Sequence, residues 1–169
     1  TTGATIRYTT NGSEPTSSVG KIYKGPIKIS KTTIIRAAAF KTNHFPTNID
    51  THTYLFLNDI YNQQTAINWP TSGYNGQSLN YGMDPDIISR YTTEEMINAL
   101  SAIPSISIVT EQTNLTSSSG IYVNAQQHGS NWERPASFEI IDPKKIKSDV
   151  QINCGLRIRG GFSRTSSNP

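Results

Sequence analysis

Two arginines, Arg157 and Arg159, alternate along a strand candidate at 149–160, so their guanidiniums fall on one face. The strand runs straight into Gly160-Gly161-Phe162-Ser163-Arg164. Guanidinium forks bind phosphate bidentately, glycines let backbone N–H groups approach an anion, and a serine hydroxyl adds a donor. Arg157, Arg159, Gly160, Gly161 and Ser163 are therefore the candidate phosphate contacts. The segment lacks the Gly-Lys-Ser/Thr ending of a P-loop. A plainer reading competes with it. The arginines would pair with Glu133 or Glu139 on a solvated strand face, and the glycines would make an ordinary turn. On side-chain chemistry alone the plainer reading is favoured.

Other constellations carry less. In Trp132-Glu133-Arg134-Pro135 the indole could be a stacking platform, but a packed Trp with paired charges is the commoner arrangement. Asp84-Pro85-Asp86 brings two carboxylates, well short of the roughly six to eight oxygens that calcium takes. His44, His52 and His128 have no ligand spacing, and no metal site is expected. Cys154 lies on the apolar side of its strand and is expected to be a buried, inert thiol. No Ser/His/Asp set can be assembled, so no catalytic residue is assigned.

These residues need a β scaffold. Of 169 residues, 34% are hydrophobic and only 16% charged. Thr, Ser and Asn fill the difference, a balance that suits a β-rich extracellular protein. The net charge of +3 is spread thinly, with no basic run longer than Lys144-Lys145, which argues against nucleic acid as a partner. A single cysteine rules out an internal disulfide framework. No stretch approaches the ~20 apolar residues of a membrane-spanning helix.

Strands are expected at 5–9, 27–29, 32–41 and 51–56, with Asn11-Gly12 forming a tight hairpin turn. So few strands bury little core, and the unit reads as missing strands ahead of Thr1. Residues 57–91 lack periodicity and read as a long ordered linker, anchored by the rings of Trp69, Tyr74 and Tyr81. A helix is expected over 93–103. Thr92 and Glu95 form a capping box, Met96, Ile97, Leu100 and Ile103 share a face, and Pro104 ends it. Strands then follow at 105–110, 134–142 and 149–160. The last puts Val150, Ile152, Cys154, Leu156 and Ile158 on one face and Gln151, Asn153, Gly155, Arg157 and Arg159 on the other.

Two resemblances follow from these segments. Gly-Ala-Thr-Ile-Arg-Tyr-Thr-Thr-Asn-Gly-Ser-Glu-Pro-Thr at 3–16, with Tyr-Lys-Gly-Pro-Ile at 23–27 and Thr-Ile-Ile-Arg-Ala-Ala-Ala-Phe at 33–40, resembles the C-terminal β-sandwich module of chitobiases and β-hexosaminidases. Ile-Pro-Ser-Ile-Ser-Ile-Val-Thr at 103–110, Gly-Ile-Tyr-Val-Asn at 120–124, Trp-Glu-Arg-Pro-Ala-Ser-Phe-Glu at 132–139 and Gly-Leu-Arg-Ile-Arg-Gly-Gly-Phe-Ser-Arg at 155–164 together resemble the entry to a CotH-type domain. That family is named for a spore-coat protein that is an atypical, secretory-kinase-like protein kinase.

Together they imply three parts: an incomplete sandwich at 1–56, a linker with one helix at 57–103, and the start of a CotH-like domain at 104–169. The expected fold is mainly β with one short helix. A partial immunoglobulin- or fibronectin-like sandwich would precede the opening strands of an α+β kinase-like domain. The resemblance implies a bacterial surface or secreted protein whose complete form is an ATP- and Mg-dependent kinase. A protein substrate or a surface polysaccharide is the implied partner. It carries over only Arg159, Gly160, Ser163 and the Trp132–Pro135 signature. The family's lysine and its acidic residues would lie beyond Pro169, and Gly161 stands where many relatives have asparagine. The 169 residues are therefore expected to bind no cofactor and to have no enzymatic activity of their own, since phosphoryl transfer needs metal-holding carboxylates and a positioned base.

Overall fold

A computed structural model describes residues 2–73, 76–144 and 150–160. The chain is mainly β, in two antiparallel sheets with a few short helices. The first sheet has the order β2-β1-β3-β4, built from β1 (Thr5–Thr9), β2 (Lys21–Ile22), β3 (Thr33–Phe40) and β4 (Asp50–Tyr54). The second has the order β5-β6-β7, from β5 (Ser105–Val109), β6 (Arg134–Ile141) and β7 (Val150–Leu156).

Two expectations need correction in the first sheet. Residues 27–29 form no strand, and the two-residue β2 takes the pairing position beside Arg7 and Tyr8. Asn11-Gly12 does not close a two-residue hairpin. Gly12 does take a positive φ of 81°, but Asn11 bridges to Ile34 and the chain reaches β2 only through a longer loop. That loop is held by Thr9 Oγ1 donating to Ser13 O at 2.5 Å and by Arg7 Nη1 donating to Gly20 O at 2.9 Å. Pro15 within it cannot donate to a ladder.

The linker contains more structure than its composition suggests. Helices α1 (Leu57–Tyr61) and α2 (Pro85–Ile88) occupy its two ends. Asp84 caps α2 by accepting from Asp86 N, so the Asp84-Pro85-Asp86 carboxylates belong to a helix start. Trp69 and Tyr81 meet edge to face at 5.3 Å, although Trp69 stays exposed rather than buried. Tyr74 lies outside the described residues.

Helix α3 (Thr93–Ala102) has the full capping box. Thr92 N donates to Glu95 Oε2 at 2.8 Å, and Glu95 N donates to Thr92 Oγ1 at 3.2 Å. The bond from the Thr92 backbone, reinforced by its hydroxyl, holds the Glu95 carboxyl below the ordinary carboxylate range. A depressed folded pKa stabilises the helix at neutral pH, and that contribution is lost as pH falls through the folded value. The Glu95 side-chain carboxyl should therefore titrate below the ordinary glutamate range in an NMR pH series. Thr92→Ala, which removes the hydroxyl but keeps the backbone N–H, should raise the Glu95 midpoint only part of the way; an ordinary midpoint in the unsubstituted protein would contradict the box. A fourth helix, α4 (Gln112–Thr116), follows β5, and a 3-10 turn at Ser130–Trp132 precedes β6. Neither was apparent in the sequence pattern, because five residues and three residues are too few to show a helical period.

In the second sheet the apolar face is only partly covered. Register pairs Ile108 with Phe138 and Phe138 with Ile152, so the apolar residues line one face. Ser107, Ser137, Glu139, Gln151 and Asn153 line the other. It is the polar face that meets the first sheet. Thr53 Oγ1 lies 2.7 Å from Ser107 Oγ, and Asn153 Nδ2 donates to Ile49 O at 3.0 Å. Ser137 and Glu139 are buried, whereas Ile106, Ile108 and Ile152 are 65%, 52% and 51% exposed. Cys154, expected to be buried, is half-buried for the same reason.

Candidate anion-binding cleft

Strand β7 ends at Leu156, earlier than the expected strand to 160, so Arg157 and Arg159 sit on the irregular segment just after it. They still share a destination. Arg157, Ile158, Arg159 and Gly160 form one wall of a cleft of about 290 Å³. The opposite wall comes from the turn-rich chain between α4 and β6: Ile121, Asn124, Gln127, His128, Gly129 and Trp132. Gly160 has a φ of 134°, in the region that favours glycine, so the chain can turn there. Gly161 and Ser163 lie outside the described residues.

Local chemistry explains the second wall. Gly120 N donates to Ser117 O at 2.8 Å, Ile121 N to Asn114 O at 2.9 Å, and Tyr122 N to Leu115 O at 3.0 Å. Asn124 Nδ2 then donates to the carbonyls of Ser118 and Gly120 at 2.8 and 2.9 Å, tying the loop to itself. Arg134 finishes the wall: Nη2 donates to Ser119 O at 2.7 Å while its guanidinium stacks 5.3 Å over the Trp132 ring. Trp132 and Arg134 thus take the packing role, as the plainer reading anticipated.

The two arginines differ in their surroundings. Arg157 Nε lies 3.3 Å from Glu133 Oε2, with both side chains about half exposed. This is the ion pair the plainer reading named, with Glu133 as the partner rather than Glu139. Glu133 reaches Arg157 by lying across Gly155, where any Cβ would occupy the space of its side chain. Glu139 instead faces His52, with Oε1 3.7 Å from Nδ1. Arg159 is exposed and, among the described residues, forms no hydrogen bond or ion pair. An exposed pair such as Arg157–Glu133 contributes about 0–1 kcal/mol, so an incoming anion can displace the carboxylate at little cost. Among the described residues the cleft holds two guanidiniums against one carboxylate.

Sequence reasoning found the arginines but not the opposite wall. His128, Gln127 and Asn124 come from a turn segment some thirty residues away, and no spacing rule connects it to 157–160.

Residues 1–54 match a family model described as Fn3 associated. The match ends at Tyr54, the last residue of β4, so it covers the first sheet and stops where the linker begins. This agrees with a β-sandwich-like module at the start of the chain. No curated protein and no solved structure matches the chain. Among the described residues no helix is long and apolar enough to cross a membrane.

Proposed function

We propose that this chain is a non-catalytic part of a bacterial surface or secreted protein of the CotH type, in which the 157–160 cleft receives a phosphate-bearing anion. The convergence of Arg157, Arg159 and Gly160 on one cleft carries the reading. The ordered run of segments from 103 to 164 that resembles the CotH entry supports it. In a longer protein of that type the anion would be a nucleotide phosphate, with Arg159 as the first contact and Arg157 freed from Glu133. The residues present suit the phosphates of ATP. Among the described residues no three His, Cys, Asp or Glu side chains gather, and no metal-holding set is assigned here. Phosphoryl transfer by these 169 residues alone is therefore not part of the proposal.

The rival reading, a glycan-binding surface on the first module, would use Tyr8 and Tyr23. Their rings meet at 80°, edge to face, so they pack on each other and offer no coplanar platform for a sugar.

Calorimetric titration with inorganic phosphate and with ATP tests the anion cleft. Losing one charge-assisted contact should weaken binding by roughly ten- to a hundredfold, so Arg159→Gln should show that loss. Glu133→Gln, which removes the competing carboxylate, should instead tighten binding. Phosphate binding that ignores both substitutions, or no binding at all, would retire the reading.

A further inference from the structure

A second cavity, about 240 Å³, adjoins the anion cleft. The two share Ile121 and Ile158 in their linings. Ile121 is buried and forms a common floor, and the segment after β7 separates the arginines on one side from Leu156 on the other. The second cavity is almost wholly apolar. Its walls include Trp69, Leu79, Tyr81, Leu115 and Tyr122. Both tyrosine hydroxyls are already engaged: Tyr81 Oη donates to Pro70 O at 2.8 Å, and Tyr122 Oη accepts from Gln77 Nε2 at 3.1 Å. An occupant therefore meets ring faces and aliphatic side chains and needs no polar group of its own there.

We infer that the two cavities act as one bipartite site for an organic anion, a phosphate or phosphonate ester whose apolar body fills the Trp69–Leu79–Tyr81 cavity while its charged group meets Arg159 and Arg157. Charge complementarity fixes the orientation, because among the described residues Arg157 and Arg159 line the first cavity and no arginine lines the second. Size fits as well. An apolar cavity of about 150 Å³ admits benzene, so 240 Å³ takes a one- or two-ring body. This inference rests on the anion reading above and narrows its ligand class.

The chain contains two tryptophans, and each lines one half of the site. Trp132→Phe leaves Trp69 as a fluorescence reporter for the apolar half, and Trp69→Phe leaves Trp132 for the anionic half. Three probes separate the contributions: inorganic phosphate, phenyl phosphate and phenol. Phosphate should perturb Trp132 alone. Phenyl phosphate should perturb both reporters and bind at least about tenfold more tightly than phosphate, the increment expected from burying one ring. Phenol should bind more weakly than phenyl phosphate. Leu79→Asn, which makes the cavity polar without adding a charge, should abolish the phenyl increment. The reporters give the answer in chains with Leu79 intact, should that variant fold poorly. If phosphate binds through Arg159 but phenyl phosphate is no tighter, or leaves Trp69 undisturbed, the bipartite site is wrong and the anion cleft stands. If phosphate does not bind, or binds without Arg159, both fall together.

Discussion

Arg36→Met should lower the unfolding free energy by roughly 2–3 kcal/mol, below the ~3–5 kcal/mol typical when one partner of a fully buried ion pair is removed. Arg36 is only 5% exposed and sits in the middle of β3. Its guanidinium contacts both halves of the chain. Nη2 lies 3.0 Å from Glu14 Oε1 and Nη1 lies 3.6 Å from Glu111 Oε1, beyond β5. Nη1 also donates to Gly12 O at 3.1 Å, and Glu14 N donates to the Glu111 carboxylate. Removing the arginine leaves two carboxylates side by side with no cation between them. Both are about one-third exposed, so water screens part of the repulsion and the cost stays below the fully buried case. Urea unfolding of Arg36→Met, Glu111→Leu and the double variant would measure it. The double variant should lose less than the sum of the singles, since the contact is shared. Strict additivity, or a single-variant cost under about 0.5 kcal/mol, would show that the cluster does not couple the sheets.

Gly120→Ala comes next in size. A Cβ at this buried position would fall on the Leu115 carbonyl and lie 2.7 Å from Thr116 N. These are backbone atoms of α4, already committed to the hydrogen bonds that shape the turn, and cannot swing aside as a side-chain end would. Overpacking of this kind costs typically 1–3 kcal/mol, and the upper part of that range is expected. Gly129→Ala supplies the comparison: its φ is 89°, but beyond its chain neighbours no atom of the described residues lies within 4 Å of its Cβ position. It should lose about 1 kcal/mol from backbone strain alone. Because the Gly120 turn carries Ile121 and Asn124 into the cleft, Gly120→Ala should also weaken phosphate binding. Equal stability losses for the two glycine substitutions would show that the close approach to Leu115 relaxes freely.

Sequence alone determined the local elements whose signals are short-range. The capping box at Thr92 and Glu95, the strand Thr5–Thr9, the long strand within 32–41 and the mainly β character follow from side-chain alternation and from bonds between near neighbours. Alternation would put Arg157 and Arg159 on one face only if the strand ran to 160; β7 stops at Leu156, and the fold of the following segment is what brings both to one cleft. Only the tertiary structure decided which face of the second sheet is covered. Alternation separates Ile108, Phe138 and Ile152 from Ser107, Ser137 and Glu139, but it does not say which set meets a neighbour. The hydroxyl contact between Thr53 of the edge strand β4 and Ser107, and the bond that Asn153 donates to the Ile49 carbonyl just before β4, chose the polar set. The same holds for the cleft: Glu133, His128 and Trp132 reach Arg157 and Arg159 through the β6–β7 pairing and the Gly120 turn, contacts between residues far apart in the chain that no local period encodes.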